Sequence, residues 1–180
     1  MDVNTDAKAK VAIIMGSDSD LPVLKGAIDF LEEWQIGYRV HISSAHRVPE
    51  KTAALAKSAE QDGIEVIIAA AGGAAHLAGV IAALTALPVI GVPIKTDSLG
   101  GLDSLYSMVQ MPSGIPVATV AINGAKNAAI LAMQIIGIKD AAVRAKVHQF
   151  KAQMAQQVEA KDSKLQSMGA KAYLNKKTGV

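Results

Sequence analysis

The sequence predicts an α/β fold: a three-layer sandwich built on a parallel sheet, with a long C-terminal helix. Two observations carry that expectation. Runs rich in Val, Ile and Ala recur between longer stretches of helical period. Those runs are apolar on consecutive residues instead of alternate ones, as in strands covered on both faces. At 180 residues the chain has the size of one domain, large enough to bury about 70% of its unfolded surface. The expected domain spans residues 1–169, with 170–180 a flexible tail.

Strands are expected near residues 10–15 (KVAIIM), 38–43 (YRVHIS), 64–70 (IEVIIAA), 88–92 (PVIGV) and 115–120 (IPVATV). Helices are expected near 20–35, 49–62, 75–86, 103–110, 124–137 and 140–168. In the first helix Ser19 or Asp20 can cap the start, Pro22 suits the first turn, and Leu24, Ile28 and Leu31 share one face before Trp34 and Gly37 close it. Residues 66–87 carry no charge and are long enough to cross a bilayer. Their Val66-Ile67-Ile68 run, the Gly72-Gly73 break and the following Pro88 divide them instead into strand, turn and buried helix. The last helix carries Val143, Val147, Phe150, Met154 and Val158 on one narrow stripe. Such a stripe needs one partner surface, and the pattern leaves open whether that surface belongs to its own domain or to a neighbouring subunit. After Gly169 the composition turns polar and basic, as in a frayed tail.

Composition narrows the function. Eighteen Lys and Arg against 16 Asp and Glu leave a net charge of +2, too small for a nucleic-acid footprint. One Trp, three Tyr and two Phe are too few for a base-stacking platform. The expected partner is a small molecule, with no nucleic acid and no membrane. The absence of cysteine excludes disulfides and thiolate metal ligands, and the opening residues MDVNTD lack the pattern of a signal peptide. Cytoplasmic residence is the expectation.

In an open parallel sheet, ligands bind beyond the carboxyl ends of the strands, where loops and helix N-termini converge. Four strand-to-helix loops carry the unusual residues. In Gly16-Ser17-Asp18-Ser19-Asp20 a glycine, two hydroxyls and free amides can hold phosphate oxygens, while Asp20 suits ribose hydroxyls; an ordinary capped turn explains the same residues. Ser43-Ser44-Ala45-His46-Arg47-Val48-Pro49 sets an imidazole that can move a proton beside a guanidinium that can grip phosphate, or is simply a solvated loop. Ala71-Gly72-Gly73-Ala74-Ala75-His76-Leu77-Ala78-Gly79 leaves bare backbone where a flat ring could lie, or else serves close helix–sheet packing, with His76 a hydrogen-bonded core histidine. The fourth, residues 95–104, is polar and glycine-bearing and could close over a ligand or be a plain connection. No G-x-G-x-x-G follows the first strand and no G-x-S-x-G elbow occurs, so neither a dinucleotide fingerprint nor a serine hydrolase is supported. His41, His46, His76 and His148 lack short ligand spacing, so no metal site is expected.

Taken in order, VAIIMGSDSD, SSAHRVPE, AGGAAHLAGVIAALT, LPVIGVPI, LDSLYSMVQMPSGIPVATVAI and NAAILA resemble the class I N5-carboxyaminoimidazole ribonucleotide mutases of bacterial purine synthesis, from about residue 10 to residue 138. The resemblance implies a flavodoxin-like domain and a homo-octamer with active sites at subunit junctions and the final helix reaching a neighbour. It implies that Ser17, Ser19 and Arg47 hold the substrate phosphate and Asp20 its ribose. Ser44 and Ala45 line the site, His46 is the acid/base, and Gly73, Ala74, His76 and Leu77 bound the imidazole and carboxylate. No cofactor is implied. Ala78 stands where the family commonly has proline, and residues 122–127 form a shorter stretch than in many members. Two rivals are a class II enzyme carboxylating the unsubstituted aminoimidazole ribonucleotide with free carbon dioxide, and a non-catalytic nucleotide-binding module that would leave the His-Arg pair without a task.

Overall fold

The structure, a computed structural model, describes residues 9–178; the opening residues read above for a signal peptide lie outside it. Five strands, β1 (Val11–Met15), β2 (Tyr38–Ile42), β3 (Val66–Gly72), β4 (Val89–Ile94) and β5 (Ala118–Thr119), form one sheet of order β2-β1-β3-β4-β5. Every pairing is parallel, with Val11 opposite both Tyr38 and Val66. Parallel neighbours need crossovers, and the described residues hold seven helices: α1 (Leu21–Glu33), α2 (Pro49–Ser58), α3 (Leu77–Ala82), α4 (Leu102–Val109), α5 (Ala125–Ile136), α6 (Ala141–Met168) and α7 (Ala170–Thr178).

The pleat sorts each strand between two cores. Val11, Ile13, Met15, Val66, Ile68, Ile90 and Val92 face α1, α5 and the start of α6. Ala12, Ile14, Ile67, Ala69, Ala71 and Val89 face Ala56 of α2, Ile81 of α3 and Met108 of α4. Three layers follow directly from strands apolar on both faces. The uncharged stretch 66–87 lies inside this sandwich as β3 and α3, and among the described residues no helix is long and apolar enough to cross a membrane.

Four expected elements differ in extent. The fifth strand shrinks to two residues on the sheet edge, since Pro116 has no N–H to donate and the turn at Gly114 (φ +102) delays its entry. The second helix stops at Ser58, and Gly63 in the left-handed region (φ +83) turns the chain toward β3. The third runs only from Leu77 to Ala82 because Thr85 Oγ1 takes the Leu87 N–H (3.2 Å) and Pro88 disfavours helix before it. The tail expected to fray after Gly169 is helical: Gly169 (φ +77) ends α6, and Ala170–Thr178, with good helix formers in Ala, Lys and Leu, forms α7 as far as the described residues go.

The last long helix begins on its own domain. Asp140 caps it, Oδ1 accepting from the Ala142 and Val143 amides at 3.0 and 3.1 Å, while Oδ2 accepts from Lys10 Nζ at 2.7 Å. That bond to Lys10 holds the Asp140 carboxyl below the usual carboxylate range. Val143, Val147 and Phe150 pack on the first core, Phe150 edge-on to Phe30 at 5.0 Å. Further along the stripe the pattern loses its partner: Met154 and Val158 are 41% and 64% exposed.

Candidate active site

In a sheet of order 2-1-3-4-5, chain direction across the sheet reverses between β1 and β3, and a crevice opens beyond their carboxyl ends. An open cleft of about 400 Å³ lies there, lined by Gly16, Ser17, Ser19, Asp20, Ser44, His46, Arg47, Ala71, Gly72 and Ala75. The first three loops singled out in the sequence thus meet at one place. A larger cleft, about 500 Å³, sits at the amino ends of β3 and β4 among Glu60, Glu65, Leu87 and Ile138. It has no histidine in its wall and lies away from the switch point.

The loop after β1 folds into a 3₁₀ turn, Asp18–Asp20, that leads straight into α1. Ser17 caps this turn, its hydroxyl accepting from the Ser19 amide at 3.3 Å, so the backbone is preorganised with the Ser19 side chain exposed. Asp20 is the buried member, only 6% exposed, with its carboxylate accepting from Ser19 Oγ at 3.4 Å. Burial pushes the Asp20 carboxyl up, against opposing hydrogen bonds from Ser17 and Ser19. A carboxyl whose folded pKa is raised binds more protons folded than unfolded, so its effect on stability turns unfavourable as pH rises from the unfolded value through the folded one. Asp20→Asn is therefore expected to raise the thermal midpoint at pH 8. The stabilisation should shrink as the pH is lowered below the ordinary carboxylate range. A midpoint at pH 8 no higher than that of the native chain would contradict it.

The loop after β2 is held by its own bonds. Val48 N–H donates to the Ser44 carbonyl (2.9 Å) and the Arg47 amide to Ser44 Oγ (3.3 Å), a tight turn that ends at Pro49, where α2 begins. Beneath it the buried hydroxyls of Ser43 and Thr52 lie 2.8 Å apart and pin the loop to the first turn of α2. His46 and Arg47 project from this turn, both exposed. Arg47 Nη2 donates to the Gly16 carbonyl at 2.7 Å, tying the second loop to the first. One edge of a guanidinium is engaged in that bond, and a planar fork has further donors for an anion.

The loop after β3 supplies the floor. Gly72 faces Thr96, whose Cγ2 would sit 3.2 Å from any added Cβ, and Gly73 adopts φ +67. Gly72 and Ala75 line the cleft, and Gly73 and Ala74 lie between them in the chain. Ala45 is packed on the second core, and Leu77 is a core residue at 3% exposure. His76 is turned onto α4, its Nδ1 donating to the Ser107 carbonyl. None of Ala45, Gly73, Ala74, His76 or Leu77 lines the cleft of the single chain. Gly16, the glycine of the first loop, lines it as well, together with Ala71, Gly72 and Ala75, to which the sequence assigns no individual role. Those three carry no functional group, and only their place at the carboxyl end of β3 could have marked them. The fourth loop contacts this floor through Thr96, which donates to Asp103 at 3.3 Å. Among the described residues no three His, Asp or Glu side chains gather as metal ligands.

A doubly wound parallel sheet, with hydroxyls, a guanidinium, a buried carboxyl and an exposed imidazole at its switch point, defines a flavodoxin-like α/β domain with a polar cleft at the place where such folds take small-molecule ligands. The chain belongs to the AIR carboxylase family, whose model matches residues 10–157. It is 59% identical over 168 residues to the N5-carboxyaminoimidazole ribonucleotide mutase of Thermotoga maritima, covering 93% of this chain and 98% of that one. It is 60% identical to the enzyme of the same name from Pyrococcus horikoshii, covering 93% and 95%. A phosphoribosylaminoimidazole carboxylase of Saccharomyces cerevisiae is 50% identical over 98% of this chain, which matches 31% of that longer protein. Among solved structures, Treponema denticola PurE superposes with a TM-score of 0.79 at 33% identity, covering 86% of this chain and 97% of that one.

Proposed function

We propose that this chain is an N5-carboxyaminoimidazole ribonucleotide mutase, moving a carboxylate from the exocyclic nitrogen of the substrate to C4 of its imidazole ring in purine synthesis. The observation that carries the assignment of roles is the convergence of Ser17, Ser19, Asp20, Ser44, His46 and Arg47 on one cleft. Ser17, Ser19 and Arg47 hold the phosphate, Asp20 takes ribose hydroxyls, and Ser44 shapes the wall, with Ala45 packed behind it on the second core. The resemblance also assigns Gly73, Ala74, His76 and Leu77 to the heterocycle and its carboxylate; none of them lines the cleft of the single chain, so in this reading their loop bounds the ring only in the assembled oligomer. His46 reaches the reacting atoms from an exposed turn.

The chemistry balances without any oxidant or reductant. The nitrogen–carboxylate bond breaks, its electron pair stays on nitrogen, and protonated His46 delivers a proton there as carbon dioxide leaves. The freed carbon dioxide is attacked by C4, and neutral His46 then removes the C4 proton, returning to its starting state. One imidazole serves as acid and then base, and confinement of carbon dioxide beside the ring supplies the rest. The test is turnover of N5-carboxyaminoimidazole ribonucleotide at low bicarbonate. A class II carboxylase would instead need the unsubstituted nucleotide and added bicarbonate, and a binder would convert neither nucleotide. In the same assay Arg47→Ala is expected to raise KM about 10–100-fold with kcat largely kept, as for loss of a charge-assisted anion contact. An unchanged KM would remove Arg47 from the phosphate site.

The working assembly in this reading is a homo-oligomer, an octamer by resemblance, resident in the cytoplasm. Exposed apolar stripes support association. Met154 and Val158 continue the α6 stripe beyond Phe150, the last of its residues packed on the core, and Leu102, Tyr106 and Val109 form a second stripe on α4, at 49%, 59% and 48% exposure. The domain assignment, residues 1–169 as the catalytic unit, belongs to the same proposal.

A further inference from the structure

We propose that Gly79 is a positioning residue for this site, acting through His76. Gly79 is a buried residue in the first turn of α3, three residues after His76. A Cβ built on it would fall inside the His76 imidazole: the three nearest heavy atoms are Nε2, Cε1 and Cδ2 of that ring, all well within van der Waals contact, with Cδ2 at 2.6 Å. The ring therefore occupies the volume that any other amino acid at position 79 would fill.

His76 stands at the N-cap of α3, where a side chain ordinarily turns back to bond the amides of its own helix. It makes no such bond. Its ring lies over Gly79 and reaches across to α4, where Nδ1 donates to the Ser107 carbonyl. A carbonyl oxygen can only accept, so the proton sits on Nδ1 and the tautomer is fixed by the backbone of another helix.

The same side of α4 and the segment leading into it brace the rest of the loop. Gly72 packs on Thr96, Gly73 approaches Asp103 Oδ2 (3.9 Å from the Cβ position), and Asp103 in turn accepts from Thr96. His76 to Ser107 is the last of these contacts, one helical turn beyond Asp103. Gly72 and Ala75 line the same cleft as His46 and Arg47, so the course of residues 72–76 shapes the cleft on which the proposed mutase reaction depends. A methyl group at position 79 would expel the ring, break the bond to Ser107 and free one end of that segment.

The experiment is a double-mutant cycle in the full chain, with Gly79→Ala, His76→Ala and the pair, each followed by mutase kinetics and thermal unfolding. Gly79→Ala is expected to lower kcat at least tenfold with KM within threefold, because the floor bounds the heterocycle and not the phosphate. It is also expected to lower the unfolding midpoint. In the His76→Ala background the same methyl has nothing to displace, so both losses should vanish. A folded Gly79→Ala protein with kcat within threefold of native would overturn the proposal, as would losses that persist undiminished without the imidazole. Should Gly79→Ala fail to fold, a folded double variant with the kcat of His76→Ala supports it, and an unfolded double variant overturns it. The midpoint arm requires no substrate, so failure of the mutase reading itself would show separately, as a native protein that does not turn over.

Discussion

His46→Asn is expected to lower kcat by about 10²–10⁴, the range supplied by a positioned acid/base, while leaving nucleotide affinity within a few-fold of native. Asparagine keeps the polarity and much of the volume of the side chain but cannot cycle a proton near neutral pH. The structure explains why binding should survive. His46 takes no part in the bonds that shape its turn: these run from Val48 and Arg47 to Ser44, and from Arg47 to Gly16. The phosphate and ribose contacts assigned to Ser17, Ser19, Asp20 and Arg47 are therefore undisturbed. Steady-state turnover together with calorimetric titration of the product nucleotide checks both halves. Activity within tenfold of native would exclude His46 as the acid/base, and a parallel collapse of affinity would make it a binding residue.

The strands were legible because parallel sheets write an unmistakable pattern. Val66 to Ala71 is apolar without alternation, and the structure buries that whole run between α5 and α3. The fifth strand is shorter than its composition suggests for the converse reason. Residues 115–120 have strand composition, but an edge position and Pro116 leave only Ala118 and Thr119 on the ladder, and neither constraint is encoded in hydrophobicity. The α6 stripe carried a real ambiguity, and the structure divides it: Val143 to Phe150 pack at home, Met154 and Val158 do not.

The polar half of the cleft is only partly legible: hydroxyls, imidazole and guanidinium at strand ends fit an anion site, but a capped turn and a solvated loop fit the same residues until the loops are seen to share one cleft. Its floor is not legible. Gly72 and Ala75 are chemically mute, and what they do depends on α4, about thirty residues away in the chain. The turn of His76 toward Ser107 is a contact of that long-range kind. Local spacing could mark His76 as unusual without saying where its ring goes.

The same α4 makes Gly101→Ala the substitution expected to cost the most stability, roughly 2–4 kcal/mol from left-handed backbone strain and a lost buried hydrogen bond. Gly101 begins α4 at φ +92 and ψ 4, a conformation unfavourable for a residue with a Cβ. There is also no room. An added Cβ would lie 3.0 Å from Lys95 Cα and 3.3 Å from the Ile94 carbonyl oxygen, backbone atoms at the end of β4 that cannot swing aside, and 2.9 Å from Ile122 Cγ2. That Ile94 carbonyl already accepts from the fully buried Ser104 Oγ at 2.8 Å, so relief of the clash pulls α4 off the sheet at the point where it is anchored. Urea unfolding should show the midpoint lowered with an unchanged slope. Because α4 holds Ser107 under the His76 ring, the loss should extend to turnover measured well below the unfolding transition. A destabilisation under 1 kcal/mol would mean that the 95–101 loop can re-route around the new methyl, and that β4 does not dictate where α4 begins.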